Sequence, residues 1–306
     1  MKGNGKYSKA NILRMKSLKY YVATVLSELY YPIFKYKKYN IMSISETIDY
    51  MSKPGNCIVR FGDGEFMIMS NKSIDLQERN VQLSSMLSDT INELQLENLL
   101  ICLPEPLRSL KNIKDESKHI WKLNFFLNRK AYSKNCKKKY YYGNAFVSRP
   151  YMTYKSKIDA DEAFHRLLCL FKDKDILIVE GELSRSGVGN NLFAKAKSVQ
   201  RIICPAFNAF QEYDRILEVT KKHGKNRLVL VALGPTAKPL VLQLAKQGYW
   251  ALDIGHLDSE YEWYLSGKKE KTKSRYKHSA ENPDEMIEPC NDEEYKQSII
   301  SDLVVR

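Results

Sequence analysis

Acidic residues are in short supply here: 36 Asp and Glu face 49 Lys and Arg, leaving a formal charge of +13 over 306 residues. That balance favours anionic partners, whether phosphates, acidic glycans, nucleic acid or an anionic membrane face. Paired cysteine is missing too. The six cysteines (57, 102, 136, 169, 204 and 290) form no C-x-x-C, and no His pair has zinc spacing. Several fall in predicted strands, as buried apolar fillers in a reducing compartment. No stretch reaches the run of about 18 apolar residues that a spanning helix needs. The first residues lack the basic, apolar and small-residue order of a signal peptide. These absences lead to the expectation of a cytoplasmic protein without internal repeats or low-complexity tracts. At 43% hydrophobic residues there is ample material for a core.

The charge is unevenly placed. Residues 1–40 hold nine Lys and Arg against a single acid, Glu28, so they read as a basic N-terminal arm. Within it, Leu18 to Tyr36 is apolar and tyrosine-rich with lysines at both ends. This segment reads either as an amphipathic helix resting on an anionic membrane face or as a helix packed on the domain. Pro32 limits a continuous helix. Ser43-Ile44-Ser45-Glu46 has capping-box spacing and Pro54-Gly55 stops the helix it starts. Leu83, Leu87, Ile91 and Leu94 mark a further helix with one apolar stripe.

Strands are predicted at 56–59, 99–103, 175–179, 201–204, 228–233 and 249–253, with helices from about 190, 213 and 236 between the later ones. The alternation predicts an α/β fold: a Rossmann-like, mostly parallel sheet with helices on both faces. Residues 41–265 read as that domain and 266–306 as a polar C-terminal tail. The basic and aromatic stretch 108–142 reads as a solvated helix pair, as a single-strand nucleic-acid surface, or as a place where sugars stack.

Sheets of this type bind ligands beyond the carboxyl ends of their strands, and the chemistry-bearing motifs fall there. Arg60-Phe61-Gly62-Asp63-Gly64-Glu65 follows the first strand. Asp63 and Glu65 have the spacing to hold Mg²⁺ or Mn²⁺ beside a phosphate, although an acidic turn alone also explains them. Gly181 to Asn190 is glycine-rich, and backbone N–H groups there can approach a diphosphate, with Arg185 as a planar fork. It is not G-x-G-x-x-G, and no acid stands about 20 residues on, so NAD is not expected. Gly234-Pro235-Thr236 suits either helix initiation or a phosphate contact. His256, Glu260 and Glu262 follow the last strand as candidate acid, base or metal-binding groups.

Taken in order, Arg60 to Glu65, Ser184-Arg185-x-Gly187-x-Gly189-Asn190, Leu233 to Ala237 and Asp253 to Trp263 resemble the bacterial GT-D-fold glycosyltransferases, a family first described as a domain of unknown function. Tyr142 to Pro150 is similar as well. The resemblance covers roughly residues 40–265. It implies transfer of a hexose from a nucleoside diphosphate sugar, such as UDP-glucose, with Mn²⁺ or Mg²⁺ at Asp63 and Glu65. The acceptor implied is a glycan, glycoprotein or lipid-linked oligosaccharide in surface polysaccharide or glycoprotein assembly. The donor contacts expected are Arg60, Gly62, Arg149, Gly181, Ser184, Arg185, Gly187, Gly189, Asn190, Gly234 and Thr236. His256, Glu260 or Glu262 would orient or deprotonate the acceptor. Two rival readings are a basic nucleic-acid- or membrane-binding module, with nucleic acid the less expected partner, and a nucleotide-sugar phosphohydrolase using water as acceptor. A peripheral place on the inner face of the cell membrane rests on the N-terminal segment alone.

Overall fold

The structure, a computed structural model, describes residues 9–34, 39–272, 277 and 288–304. The rest of the basic arm and much of the polar stretch after 272 lie outside the described residues. In chain order, α1 (Lys9–Phe34) precedes β1 (Asn40–Ile41), α2 (Ile44–Met51), β2 (Cys57–Arg60), α3 (Asp63–Met69) and α4 (Val81–Asn92). Then come β3 (Leu99–Leu103), α5 (Asp115–Asn135), β4 (Tyr141–Asn144), α6 (Ile158–Phe171) and β5 (Asp175–Gly181). The last third holds β6 (Ser198–Cys204), α7 (Tyr213–Gly224), β7 (Leu228–Ala232), α8 (Ala237–Ala245), β8 (Trp250–Asp253), α9 (Leu257–Leu265), α10 (Glu293–Ser298) and β9 (Ile299–Asp302).

The nine strands form one sheet in the order β1-β4-β3-β2-β8-β7-β5-β6-β9. Each pairing is parallel. The two-residue period of a strand divides its apolar side chains between two layers. Ile176, Ile178, Leu228 and Leu230 face α2, α6 and α9, meeting Ile48, Phe164 and Leu257. Leu177, Val179, Val229 and Val231 face the other layer, with Leu87, Phe66, Ile216 and Leu240. Both faces are therefore dry, which is why the central strands read as continuous apolar runs.

The capping box forms: Glu46 N–H donates to Ser43 Oγ at 3.1 Å, and Ser43 N–H donates to the Glu46 carboxylate at 2.7 Å. Three expectations need correction. No helix starts at Asn190; residues 182–197 run through successive turns before β6. The stretch 108–142 holds one 21-residue helix, α5, and strand β4. The chain beyond 265 is not merely a tail, because β9 adds to the sheet beside β6.

A crevice opens at one point. The chain leaves β2 into α3 on one face of the sheet and leaves the adjacent β8 into α9 on the other. Neighbouring strands whose exits diverge in this way leave a gap at their carboxyl ends, where ligands bind in open α/β sheets.

Candidate active site

The floor of the crevice is a buried charge cluster joining β2, β8, α3 and α8. Arg60, the last residue of β2, donates through Nη2 to Asp253 Oδ1 at 2.9 Å and through Nε to the Asp253 carbonyl at 2.7 Å. Its Nη1 reaches Ser148 Oγ, which ties in the 3₁₀ turn Ala145–Ser148. The guanidinium lies against Gly255, held at φ +45°, where a Cβ would run into it. Lys238, in the first turn of α8, donates to Glu65 Oε1 at 2.8 Å, to Asp253 Oδ2 at 3.2 Å and to the Gly234 carbonyl at 2.9 Å. All three of its protons have acceptors. Burial raises the Asp253 pKa, but Arg60 and Lys238 outweigh it and hold the carboxyl below its ordinary range.

Above this floor lies a cavity of about 500 Å³, within the range of small-molecule sites. Asp63 and Glu65 stand in the first turn of α3, Arg149 comes from the turn after β4, and His256 is the N-cap residue of α9. Trp121 on α5 and Lys271 complete opposite parts of the wall. Asp63 is exposed at the open cavity wall, but the protein around it partly desolvates the carboxyl, and this with the neighbouring Glu65 carboxylate raises its pKa against the pull of Arg149. His256 is shifted the other way. Burial, then Arg149, Arg60, Lys238 and Lys271, push its pKa well below the ordinary value, so the ring is neutral at pH 7. A cavity with that much positive potential suits a polyanion.

The expected donor contacts divide. Arg60, Gly62, Arg149, Gly181, Ser184 and Gly234 line the cavity. Arg185, Gly187, Gly189, Asn190 and Thr236 do not. Arg185, at φ +44°, turns to the Glu288 carbonyl at 2.8 Å. Donors of the glycine loop already have carboxylates: Ser186 N–H donates to Glu180 at 2.8 Å, Gly187 N–H to Asp258 at 2.7 Å and Asn190 Nδ2 to Asp258 at 2.8 Å. With those donors engaged and no helix following, the Ser186–Asn190 part of the loop does not present these groups to a phosphate, while Gly181 and Ser184 stay on the cavity wall.

Of the three candidate acid–base groups only His256 faces the cavity. Glu260 is buried and accepts the backbone N–H groups of Tyr151 and Met152 at 3.2 and 2.9 Å. It fixes the segment that follows Arg149. Glu262 accepts from Lys277 Nζ at 2.5 Å, and Lys277 also pairs with Asp258 at 2.6 Å.

The carboxylate pair fits only one kind of metal site. Glu65 accepts the Gly62 N–H at 2.7 Å and the Lys238 ammonium at 2.8 Å, so both of its oxygens are engaged. Among the described residues no group of three or more His, Cys, Asp or Glu is gathered to hold an ion. Asp63, which is exposed, offers a carboxylate at the cavity wall. Such a donor set fits Mg²⁺ or Mn²⁺ completed by phosphate oxygens and water, as hard ions are held in phosphate-handling sites. It does not fit an ion caged by protein alone.

Residues 58–282 match the family described as Glycosyltransferase GT-D fold. The chain belongs to the GT-D glycosyltransferase family. It is 41% identical over 268 residues to the "Probable glycosyl transferase Gly" of Streptococcus gordonii, covering 87% of this chain and 39% of that protein. Against "Glycosyltransferase GlyD" of Streptococcus pneumoniae serotype 4 the identity is 39% over 265 residues, 86% of this chain and 32% of that one. The chain thus spans well under half the length of these curated relatives. Among solved structures it is similar to a domain of unknown function described as having a distinct glycosyltransferase fold. That likeness has a TM-score of 0.86 and 41% identity over 90% of this chain and 99% of the other. A new glycosyltransferase from Streptococcus sanguinis gives a TM-score of 0.84 and 40% identity, covering 87% and 100%. These findings bear out the resemblance and the fold class read from the sequence.

Sequence reasoning missed Lys238, the cation at the centre of this GT-D site. The signal was present: a lysine in Ala237–Ala245, a helix otherwise apolar but for Gln243. A lysine sunk among apolar neighbours needs carboxylates nearby.

Proposed function

We propose that this GT-D domain transfers a hexose from a nucleoside diphosphate sugar, a UDP-sugar in the first instance, to a hydroxyl of a glycan, glycoprotein or lipid-linked acceptor. The observation that carries this reading is the convergence of Arg60, Arg149, Lys238 and Lys271 on His256 at the β2–β8 crevice. Arg149 and Lys271 on the wall, the paired Arg60 and Lys238 in the floor and the exposed carboxylate of Asp63, around a cavity of about 500 Å³, suit a diphosphate with a sugar attached.

In the reaction the acceptor oxygen bonds to the anomeric carbon, the bond from that carbon to the diphosphate oxygen breaks, and the diphosphate leaves with the electron pair. Arg149 and Lys271 stabilise the charge on the departing group. Lys238 and Arg60 act from the floor, keeping Glu65 and Asp253 paired so that the wall stays in place. Asp63, with Glu65 behind it, would hold Mn²⁺ or Mg²⁺, which when bound neutralises charge on the departing diphosphate. His256 takes the proton of the acceptor hydroxyl. The charges of Arg149 and Lys271, two of the cations that depress its pKa, are offset by the diphosphate when the donor arrives, which favours the ring as a base.

The test is thermal stability against a panel of nucleoside diphosphate sugars, with and without Mn²⁺, for wild type and Asp63→Asn. A ligand present at about 100 times its Kd stabilises by about 2.7 kcal/mol whatever the acceptor. A shift for one donor, dependent on Mn²⁺ and absent in the variant, supports the reading. No shift with any donor in the presence of metal overturns it. Rapid release of free sugar without added glycan would favour hydrolysis instead.

A further inference from the structure

Helix α1 has its apolar side facing out. Its inner side, toward α5, carries Thr24, Ser27, Tyr30 and Tyr31. Ser27 is buried and donates to the Thr24 carbonyl at 2.7 Å. Tyr31 stacks on Phe125 at 6.1 Å and Tyr30 meets Phe126 edge-on at 5.7 Å. Val22, Val25, Leu26, Leu29 and Ile33 lie on the opposite side, at the three- and four-residue spacing that makes one stripe. Each is exposed, Leu29 by 67% and Ile33 by 66%. Single exposed apolar residues are ordinary, but a contiguous stripe on a helix marks a surface with a partner.

The charge carried in this segment's sequence says which partner. Residues 1–40 contain nine Lys and Arg, and their one acid, Glu28, is turned toward α5, paired with Lys122 at 2.5 Å and His119 at 3.3 Å. No acid remains in the segment to face a basic surface. A second copy seated on this stripe would bring two strongly basic segments together. An anionic bilayer satisfies both features, taking the apolar stripe among its acyl chains and the cations at its headgroups. We propose that the outer face of α1 docks on the anionic surface of a lipid bilayer.

Docking of α1 also positions the catalytic crevice. α5, against which α1 packs, supplies Ser117, Ile120 and Trp121 to the cavity wall. The rim of the cavity is then held beside the bilayer, which selects acceptors carried on a lipid. This last consequence rests on the glycosyl-transfer reading; the docking does not.

The experiment is flotation of the full chain with phosphatidylglycerol–phosphatidylcholine vesicles and with phosphatidylcholine vesicles, for wild type, Leu29→Asp and Ile33→Asp. Wild type floats with the anionic vesicles, less so at high salt, and each substitution lowers the affinity by about tenfold or more. Both side chains are exposed, so the variants keep the wild-type melting temperature and the same donor-induced shift, which separates failure of docking from failure of the transferase reading. Absence of flotation with anionic vesicles overturns the proposal, as does flotation that the substitutions leave unchanged. A dimer seen by sedimentation velocity and dissolved by the same substitutions would also overturn it, by showing that a second copy covers the stripe.

Discussion

Asp63 and Lys238 show how differently two charged residues of one site bear on stability. Asp63, though exposed, sits where partial desolvation and Glu65 both disfavour its ionised form, so its charge at pH 7 does not stabilise the fold. Asp63→Asn should therefore leave the melting temperature unchanged or slightly raised while metal-dependent turnover falls by about 100-fold or more. A clear loss of stability, or full activity, would remove Asp63 from the role given to it. Lys238 is the reverse case, a cation shared by Glu65 and Asp253. Lys238→Met leaves two buried carboxylates short of a partner, so a loss of about 3–5 kcal/mol is expected by urea unfolding. Asp63 was placed at the cavity edge through the strand that ends before it, since parallel sheets bind ligands beyond the carboxyl ends of their strands; its spacing to Glu65 is also that of an acidic turn. The glycine loop misled for a physical reason: backbone N–H groups serve a carboxylate as readily as a phosphate. Nothing within Gly181 to Asn190 announces that Glu180 and Asp258 are the anions bound.

At the scale of elements, the central strands were legible because burial on both faces demands unbroken apolar runs. Edge strands carry no such demand. β1 is two residues long, and β9 reads Ile-Ile-Ser-Asp inside a polar stretch with none of its four residues buried. α5 was obscured by its lysines, which interrupt the apolar pattern; Lys122 is half-buried against α1, where it pairs with Glu28. Yet α10, which leads into β9, reaches the site by a chain of contacts. Arg201 on β6 donates to Ser298 at 2.9 Å, lies over the Tyr295 ring at 5.0 Å and pairs with Glu180 at 2.6 Å. Glu180 in turn holds Ser186, a residue of the cavity wall. Deleting residues 293–306 uncovers the edge of β6 and loosens that chain. The melting temperature should fall by on the order of 5 °C or more, with weaker donor binding. A truncated protein as stable as the whole chain would show that β9 only decorates the sheet.

For the molecule as a whole, burial and the cations gathered at one crevice make His256 one contributor to the dependence of stability on acid. His256 is held neutral in the folded state, its pKa depressed by burial and four cations, whereas in the unfolded chain it titrates at about 6.5. Below that value the unfolded state binds a proton that the folded state refuses, so stability falls with pH until the folded pKa is reached, by up to about 1.4 kcal/mol per pH unit. Glu260 runs against this: burial raises its folded pKa, so protonation on acidification favours the folded state until its ordinary pKa is passed. Asp63 behaves likewise. Asp253, held low by its cations, keeps its contribution until far lower pH. Because the terms differ in sign, the net curve alone does not isolate His256, and a difference measurement does. Comparing wild type with His256→Gln by urea unfolding at pH 7 and pH 5 cancels the carboxylates common to both. The wild type should lose stability relative to the variant on going to pH 5. A difference that is flat across that interval would mean that the four cations do not act on this ring, and would remove the electrostatic basis for placing a diphosphate beside it.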